Sequence, residues 1–166
     1  MTGTESILIT GGNRPESRRL LQEALTLLGE RAGTVTAVSQ VCTSKAWGFE
    51  SDDFVNQAVV LRTTLTPHQL LDAVQSVERD LGRDRTAEAG EKSATGQRYA
   101  SRPIDIDILY YGELTVSDQR LTIPHPRIAE RAFVLRPLCQ VAAEKINPAN
   151  GLSNALMLAQ LTISNE

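Results

Sequence analysis

The chain predicts an α+β fold of the ferredoxin-like kind, a mostly antiparallel sheet covered by helices, and three observations carry that prediction. Its apolar segments alternate between short β-branched runs and longer helical stripes in the order βαββαβ, with further helical material appended. A capping signature, Thr66-Pro67-His68-Gln69, starts the second helix in mid-chain. No repeat or linker divides the 166 residues, so residues 1–166 are expected to form one domain.

Ile7 to Thr10 is a short β run that is expected to stop at Gly11-Gly12-Asn13. Pro15 then opens a helix with Leu20, Leu21, Ala24, Leu25 and Leu28 on one face, bracketed at its end by Gly29 and Gly33. Thr34 to Thr43 reads as a second strand and Phe54 to Thr63 as a third. After the Thr66 cap, Leu70, Leu71, Val74, Val77 and Leu81 form a stripe, with Gln75 and Glu78 on the polar side and Gly82 as terminator. Thr86 to Tyr99 is polar and aperiodic, and reads as a long loop able to close over bound substrates. A fourth strand at Asp105 to Tyr111, a β piece at Leu121 to Pro124, a helical region from Arg127 to about Ala143 and a terminal helix near Asn154 to Leu161 complete the order.

With 41% hydrophobic residues the chain needs no staple to bury a core. A formal charge of −3 gives no overall pull toward nucleic acid or an anionic membrane, so neither is expected as a partner. No basic, apolar leader opens the chain and no later stretch approaches a membrane span, which points to a cytosolic protein. Cys42 and Cys139 lack the spacing of a zinc site or redox pair and are expected as small core residues.

Chemistry concentrates in Arg102-Pro103-Ile104-Asp105-Ile106-Asp107-Ile108-Leu109. Strand side chains alternate, so Asp105 and Asp107 emerge on one face, their Cα atoms about 6.5 to 7 Å apart, while Ile104, Ile106, Ile108 and Leu109 are expected to line the other. Two carboxylates so placed can converge on two divalent cations. Arg83, Arg85, Arg98 and Arg102 lie near in sequence, and cations around a carboxylate pair suit a metal-bridged polyanion. Taken alone, each Arg could equally be a solvated surface residue, and His68 reads as one exposed residue of a helix's first turn. Aromatics are only 4% of the chain, yet Trp47, Phe49 and Phe54 lie close together, which suits either a sandwiched flat ring or ordinary core packing, and Asn56 stands in an apolar strand where its amide needs partners.

In this order, Gly11-Gly12-Asn13, Asp53-Phe54-Val55-Asn56, Gly82-Arg83-Asp84-Arg85, the Arg102 to Ile108 run, Ile123-Pro124-His125-Pro126-Arg127 and Arg131-Ala132-Phe133 resemble the 6-hydroxymethyl-7,8-dihydropterin pyrophosphokinases of folate biosynthesis. The resemblance runs from about Ile7 to Ala143. It implies transfer of pyrophosphate from ATP to the pterin hydroxymethyl group with release of AMP, and two Mg²⁺ ions held by Asp105 and Asp107. By the same resemblance Arg83, Arg85, Arg102, Arg131 and His125 face the triphosphate, and Gln75, Glu78, Tyr99 and Ile108 belong to the nucleotide site. The resemblance also implies that Arg83 and Arg102, with the two aspartates, are the catalytic set. Ser44, Trp47, Phe54, Asn56 and Phe133 are implied on the pterin. The chain departs from the family pattern at Gly12, Ser44-Lys45, Pro126 and Tyr99, and carries a longer Ala87 to Gln97 segment, yet both aspartates are intact. Two other readings remain open at this point: a kinase moving only the γ-phosphoryl group, and a non-catalytic nucleotide sensor. No Gly-x-x-x-x-Gly-Lys-Ser/Thr loop supports the former.

Overall fold

The computed structural model of the protein describes residues 3–44, 53–82 and 103–164. Strand β1 (Thr4–Gly12) lies at the centre of the sheet. Helix α1 (Ser17–Arg31) leads to β2 (Thr34–Val38) and β3 (Cys42–Ser44), and β4 (Phe54–Thr63) returns to pair with β1. Helix α2 (Pro67–Asp80) precedes β5 (Asp105–Tyr111), which takes the other side of β1. The order β2-β4-β1-β5, with every neighbouring pair antiparallel, inserts β4 between two strands that run the same way. That is the ferredoxin-like arrangement. A small hairpin, β6 (Val116–Ser117) and β7 (Thr122–Ile123), a 3₁₀ turn at Ile128–Glu130, α3 (Ala132–Ala142) and α4 (Asn154–Ser164) follow.

The sheet separates two cores. On one face α1 and α2 bury Leu20, Leu21, Leu28, Leu70 and Val74 against Leu8, Val59 and Ile106. On the other, α3 and α4 bury Val134, Leu135, Leu138 and Met157 against Ile7, Ile9 and Val60. The start of α2 is locally determined: Thr66 Oγ1 accepts from Gln69 N at 3.2 Å, Gln69 Oε1 accepts from Thr66 N at 2.9 Å, and Pro67 occupies the first turn.

Several expectations are corrected. The first strand does not stop at Gly11 but runs through Gly12, because both glycines serve close approach rather than a turn. A Cβ on Gly11 would sit 2.3 Å from Asn56 Nδ2, and one on Gly12 would sit 2.4 Å from Pro103 O. The second strand is two strands, since the register against β4 slips by one residue between Val38↔Val59 and Cys42↔Asn56. Ser39 bridges the break: its N–H donates to Ala58 O and its Oγ accepts from Ala58 N, both at 2.9 Å. The helical region after Arg127 divides at Arg131, whose φ of −121° and ψ of 97° are extended. Leu109 does not share the face of Ile106 and Ile108. A bulge against β1 at Ile7/Leu8 puts Leu109 and Tyr110 together in the second core, and Ser6 Oγ and His125 N satisfy the carbonyls of Tyr110 and Leu109. Both cysteines are free and half-buried rather than core residues, Cys42 accepting from Gln140 Nε2 at 3.6 Å.

Candidate active site

Strand alternation places Phe54, Asn56, Gly11, Asp105 and Asp107 on the face covered by α3, at the end of the sheet where that core stops. Gly11 pairs with Asn56 on one side and with Asp105 on the other, so one row crosses three strands with a bare glycine in its middle. Ile9 pairs with Asp107 in the next row. Both aspartates are half-buried.

Two cavities flank this row. The larger, about 510 Å³, is lined by Ser44, Phe54, Arg131, Phe133 and Arg136. A recess of about 20 Å³ beside it reaches Cys42, Thr43 and Asn56. Phe133 is 42% exposed on its helix, and Arg131 holds its guanidinium 5.6 Å from the ring centroid. An exposed phenylalanine facing Phe54 across a cavity suits a flat ring between them.

The second cavity, about 320 Å³, follows the outer edge of β5 and is lined by Gln75, Asp107, Ile108, Arg120, Thr122 and His125. Ile106 N–H points to this edge and donates to Glu78 Oε2 at 2.8 Å. By alternation the backbone of Ile108 points the same way. Glu78 is thus not on the polar side of α2 but 2% exposed, holding the sheet edge. The β6–β7 hairpin forms the far wall and is tied to α2 by His68 Nε2 with Asp118 Oδ2 and by Arg120 with Asp72 Oδ1, each at 2.6 Å. The backbone N–H of Arg120 bonds Asp118 and, with the histidine, holds its carboxyl below the usual carboxylate range.

His125 follows the cis Ile123–Pro124 bond, and its Nδ1 accepts from Arg127 N at 3.2 Å, which assigns the ring proton to Nε2 in the neutral form. Burial first and then Arg131 push its pKa below the ordinary 6.5, against an opposing pull from Asp105, with Arg127 adding a smaller push downward. The histidine is therefore a neutral N–H donor at physiological pH, in electrostatic reach of both Arg131 and Asp105.

Of the residues singled out in sequence, Gln75, Asp107, Ile108 and His125 come together in one cavity, and Ser44, Phe54, Arg131 and Phe133 in the other, with Asn56 beside it. Trp47, Arg83, Arg85, Tyr99 and Arg102, with the whole Thr86 to Tyr99 loop, lie outside the described residues. Arg120, Thr122 and Arg136 were not singled out. The first two reach the site only through the hairpin pairing Val116↔Ile123, which no local pattern announces. Among the described residues no cluster of three or more His, Cys, Asp or Glu could hold a metal alone. Two half-buried carboxylates on one strand face do fit Mg²⁺, which takes one or two protein carboxylates and completes its shell with phosphate oxygens and water.

Comparison with known proteins agrees with this geometry. The family model of 7,8-dihydro-6-hydroxymethylpterin-pyrophosphokinase matches residues 7–143. The chain belongs to that family. It is 38% identical over 137 residues to the 2-amino-4-hydroxy-6-hydroxymethyldihydropteridine pyrophosphokinase of Porphyromonas gingivalis, covering 81% of this chain and 88% of the relative. The Bacillus subtilis pyrophosphokinase is 35% identical over 136 residues, covering 81% and 75%. In fold, the chain superposes on a crystal structure of an HPPK-DHPS in complex with substrates, with a TM-score of 0.74 at 14% identity. That match covers 99% of this chain but only 44% of the two-enzyme chain. Pyrophosphokinases of this family transfer pyrophosphate in folate biosynthesis, and this protein is such an enzyme. No helix among the described residues is long and apolar enough to cross a membrane.

Proposed function

We propose that the β5-edge cavity holds ATP, that the cavity between Phe54 and Phe133 holds 6-hydroxymethyl-7,8-dihydropterin, and that Asp105 and Asp107 stand where the two meet. The observation that carries this reading is the row Asn56–Gly11–Asp105, which leads from one cavity toward the strand edge that lines the other. The hydroxymethyl oxygen attacks the β-phosphorus, the Pα–O–Pβ bond breaks, AMP leaves and the hydroxyl proton is released. Asp105 and Asp107 hold Mg²⁺, two ions in this proposal, which supply positive charge to the phosphate oxygens when bound.

The chain's own groups do the rest. Arg131 and the Nε2–H of His125 donate to phosphate oxygens from one side, and Arg83, Arg85 and Arg102 join them from the segment between α2 and β5. Arg83 and Arg102 are assigned to the moving group, because fixed guanidinium donors stabilise the developing charge with little reorganisation. The backbone edge at Ile108, with Gln75, Arg120 and Thr122, positions the nucleoside, and Tyr99 flanks it. Glu78 enters as the anchor of β5. Phe54 and Phe133 stack on the pterin, Asn56 reads its hydrogen-bonding edge, and Ser44 and Trp47 close the pocket. Asp107 is the candidate proton acceptor. The chain acts as one domain in the cytosol.

Incubation with ATP, Mg²⁺ and the dihydropterin, with nucleotides resolved, tests this. AMP formed only when the pterin is present is the expected result. ADP would assign a γ-phosphoryl kinase, and unchanged ATP despite binding of both ligands would assign a sensor.

A further inference from the structure

Arg136 lies one turn beyond Phe133 on α3 and lines both the 510 Å³ cavity and the recess beside Asn56. It is exposed and, among the described residues, has no hydrogen-bond or ion-pair partner. Its neighbours on the same helical stripe are engaged: Phe133 lies under the Arg131 guanidinium, and Gln140 accepts from Gln40 N at 2.8 Å while donating to Cys42 Sγ. The middle residue of the stripe thus holds donors that no described residue answers, at the wall of a pocket that a flat ring would fill. A guanidinium carries five N–H groups and no acceptor, so a ring that displaces water from it must present acceptors in return.

We infer that Arg136 is a specificity-determining residue that reads the 4-oxo edge of the pterin, donating to O4 and the adjacent ring nitrogen N5 while Asn56 takes the adjoining N3–H. This rests on the reading of the larger cavity as the pterin site. The pterin's only carbonyl and its nearest ring lone pair lie side by side and match the planar fork of the guanidinium. A 4-amino pteridine turns donors toward the same fork and is rejected, because guanidinium and amine donors then face one another across the bound ring. Arg131, at the end of the cavity nearer His125, is left for the phosphates, so the two arginines of α3 and its N-terminus divide the ligand between them.

The test measures dissociation constants for 6-hydroxymethyl-7,8-dihydropterin and its 4-amino counterpart, with Mg²⁺ and an α,β-methylene ATP analogue present, in wild type, Arg136→Met and Arg136→Lys. Wild type is expected to prefer the 4-oxo ligand. Arg136→Met should weaken 4-oxo binding at least about tenfold, through loss of its charge-assisted hydrogen bonds to O4 and N5, and erase the preference. Arg136→Lys should recover part of it, and affinity for the ATP analogue should not move in either variant. Arg136→Met that keeps both pterin affinity and 4-oxo preference overturns the inference while leaving the pterin site standing. A wild type that binds neither pteridine overturns the site reading itself. Circular dichroism and the melting temperature establish that the variants fold.

Discussion

On the sheet face beneath α1 and α2, Leu8, Val55, Val59, Leu61, Ile106 and Ile108 are buried among helix side chains. Where that face turns polar, the groups answer one another: Thr10 Oγ1 donates to Gln57 O at 3.1 Å, and Gln57 Nε2 to Ser39 O at 2.8 Å. The α3 face starts alike, with Ile7, Ile9, Ala58 and Val60, but ends in Gly11, Asn56, Asp105 and Asp107, of which Asn56 and Asp107 line cavities. The same three strands therefore carry stability on one side and chemistry at one end of the other. A one-residue slip of β5 would exchange Asp105 and Asp107 for Ile106 and Ile108, so the register that buries the first core is the register that presents the site.

Substitutions sharpen this contrast. Asp107→Ala on the chemical face should lower kcat about 10³-fold, read by steady-state kinetics with both substrates saturating. Loss of stability without loss of kcat would put Asp107 among the structural residues. On the opposite face, Leu21→Ala removes a fully buried side chain and should cost about 3 kcal/mol, read from denaturant unfolding, with KM for both substrates unmoved.

Two further variants lie on the border between the faces. Glu78→Ala leaves the Ile106 N–H without its acceptor and should cost about 2 kcal/mol of stability, with a rise in KM for ATP because the strand edge loosens. Gly11→Ala should raise KM for the pterin about tenfold and disturb KM for ATP less, as the new Cβ pushes into the Asn56 amide. Equal effects on both substrates would contradict the division of the site. The smallest effect belongs to pH. The fold lowers the His125 pKa, so the folded state binds fewer protons there than the unfolded chain. That contribution is fully present above the ordinary value near 6.5 and is lost as pH falls through the lowered value. Unfolding midpoints across this range should show a shallower acid-side loss in His125→Gln than in wild type.

What the sequence disclosed follows the distance over which each feature is decided. The capping box at Thr66 and Gln69 and the paired faces of Asp105 and Asp107 depend on residues a few positions apart, and both stand as read. Gly11 and Gly12 suggest a turn in the sequence because glycine permits one, whereas their reason is contact with Asn56 and Pro103, far away in the chain. A glycine inside a strand also signals close approach. Ser39 substitutes for ladder bonds in a way only the paired strand reveals. Glu78 belonged to a plausible polar stripe, yet its acceptor role comes from an edge strand 28 residues later. Arg136 carried one local sign, its place three residues after Phe133, and its meaning depends on β3 and β4 lying beneath it.

The most direct measurement of the central claim is a backbone amide NMR titration with Mg²⁺, an α,β-methylene ATP analogue and the dihydropterin. Shifts should centre on Gly11, Asn56, Asp105 to Ile108, His125 and Phe133, and leave Leu20, Leu21, Ala24 and Leu28 of α1 unmoved. Shifts centred on α1, with the aspartate strand unmoved, would contradict the assignment of chemistry to the α3 face.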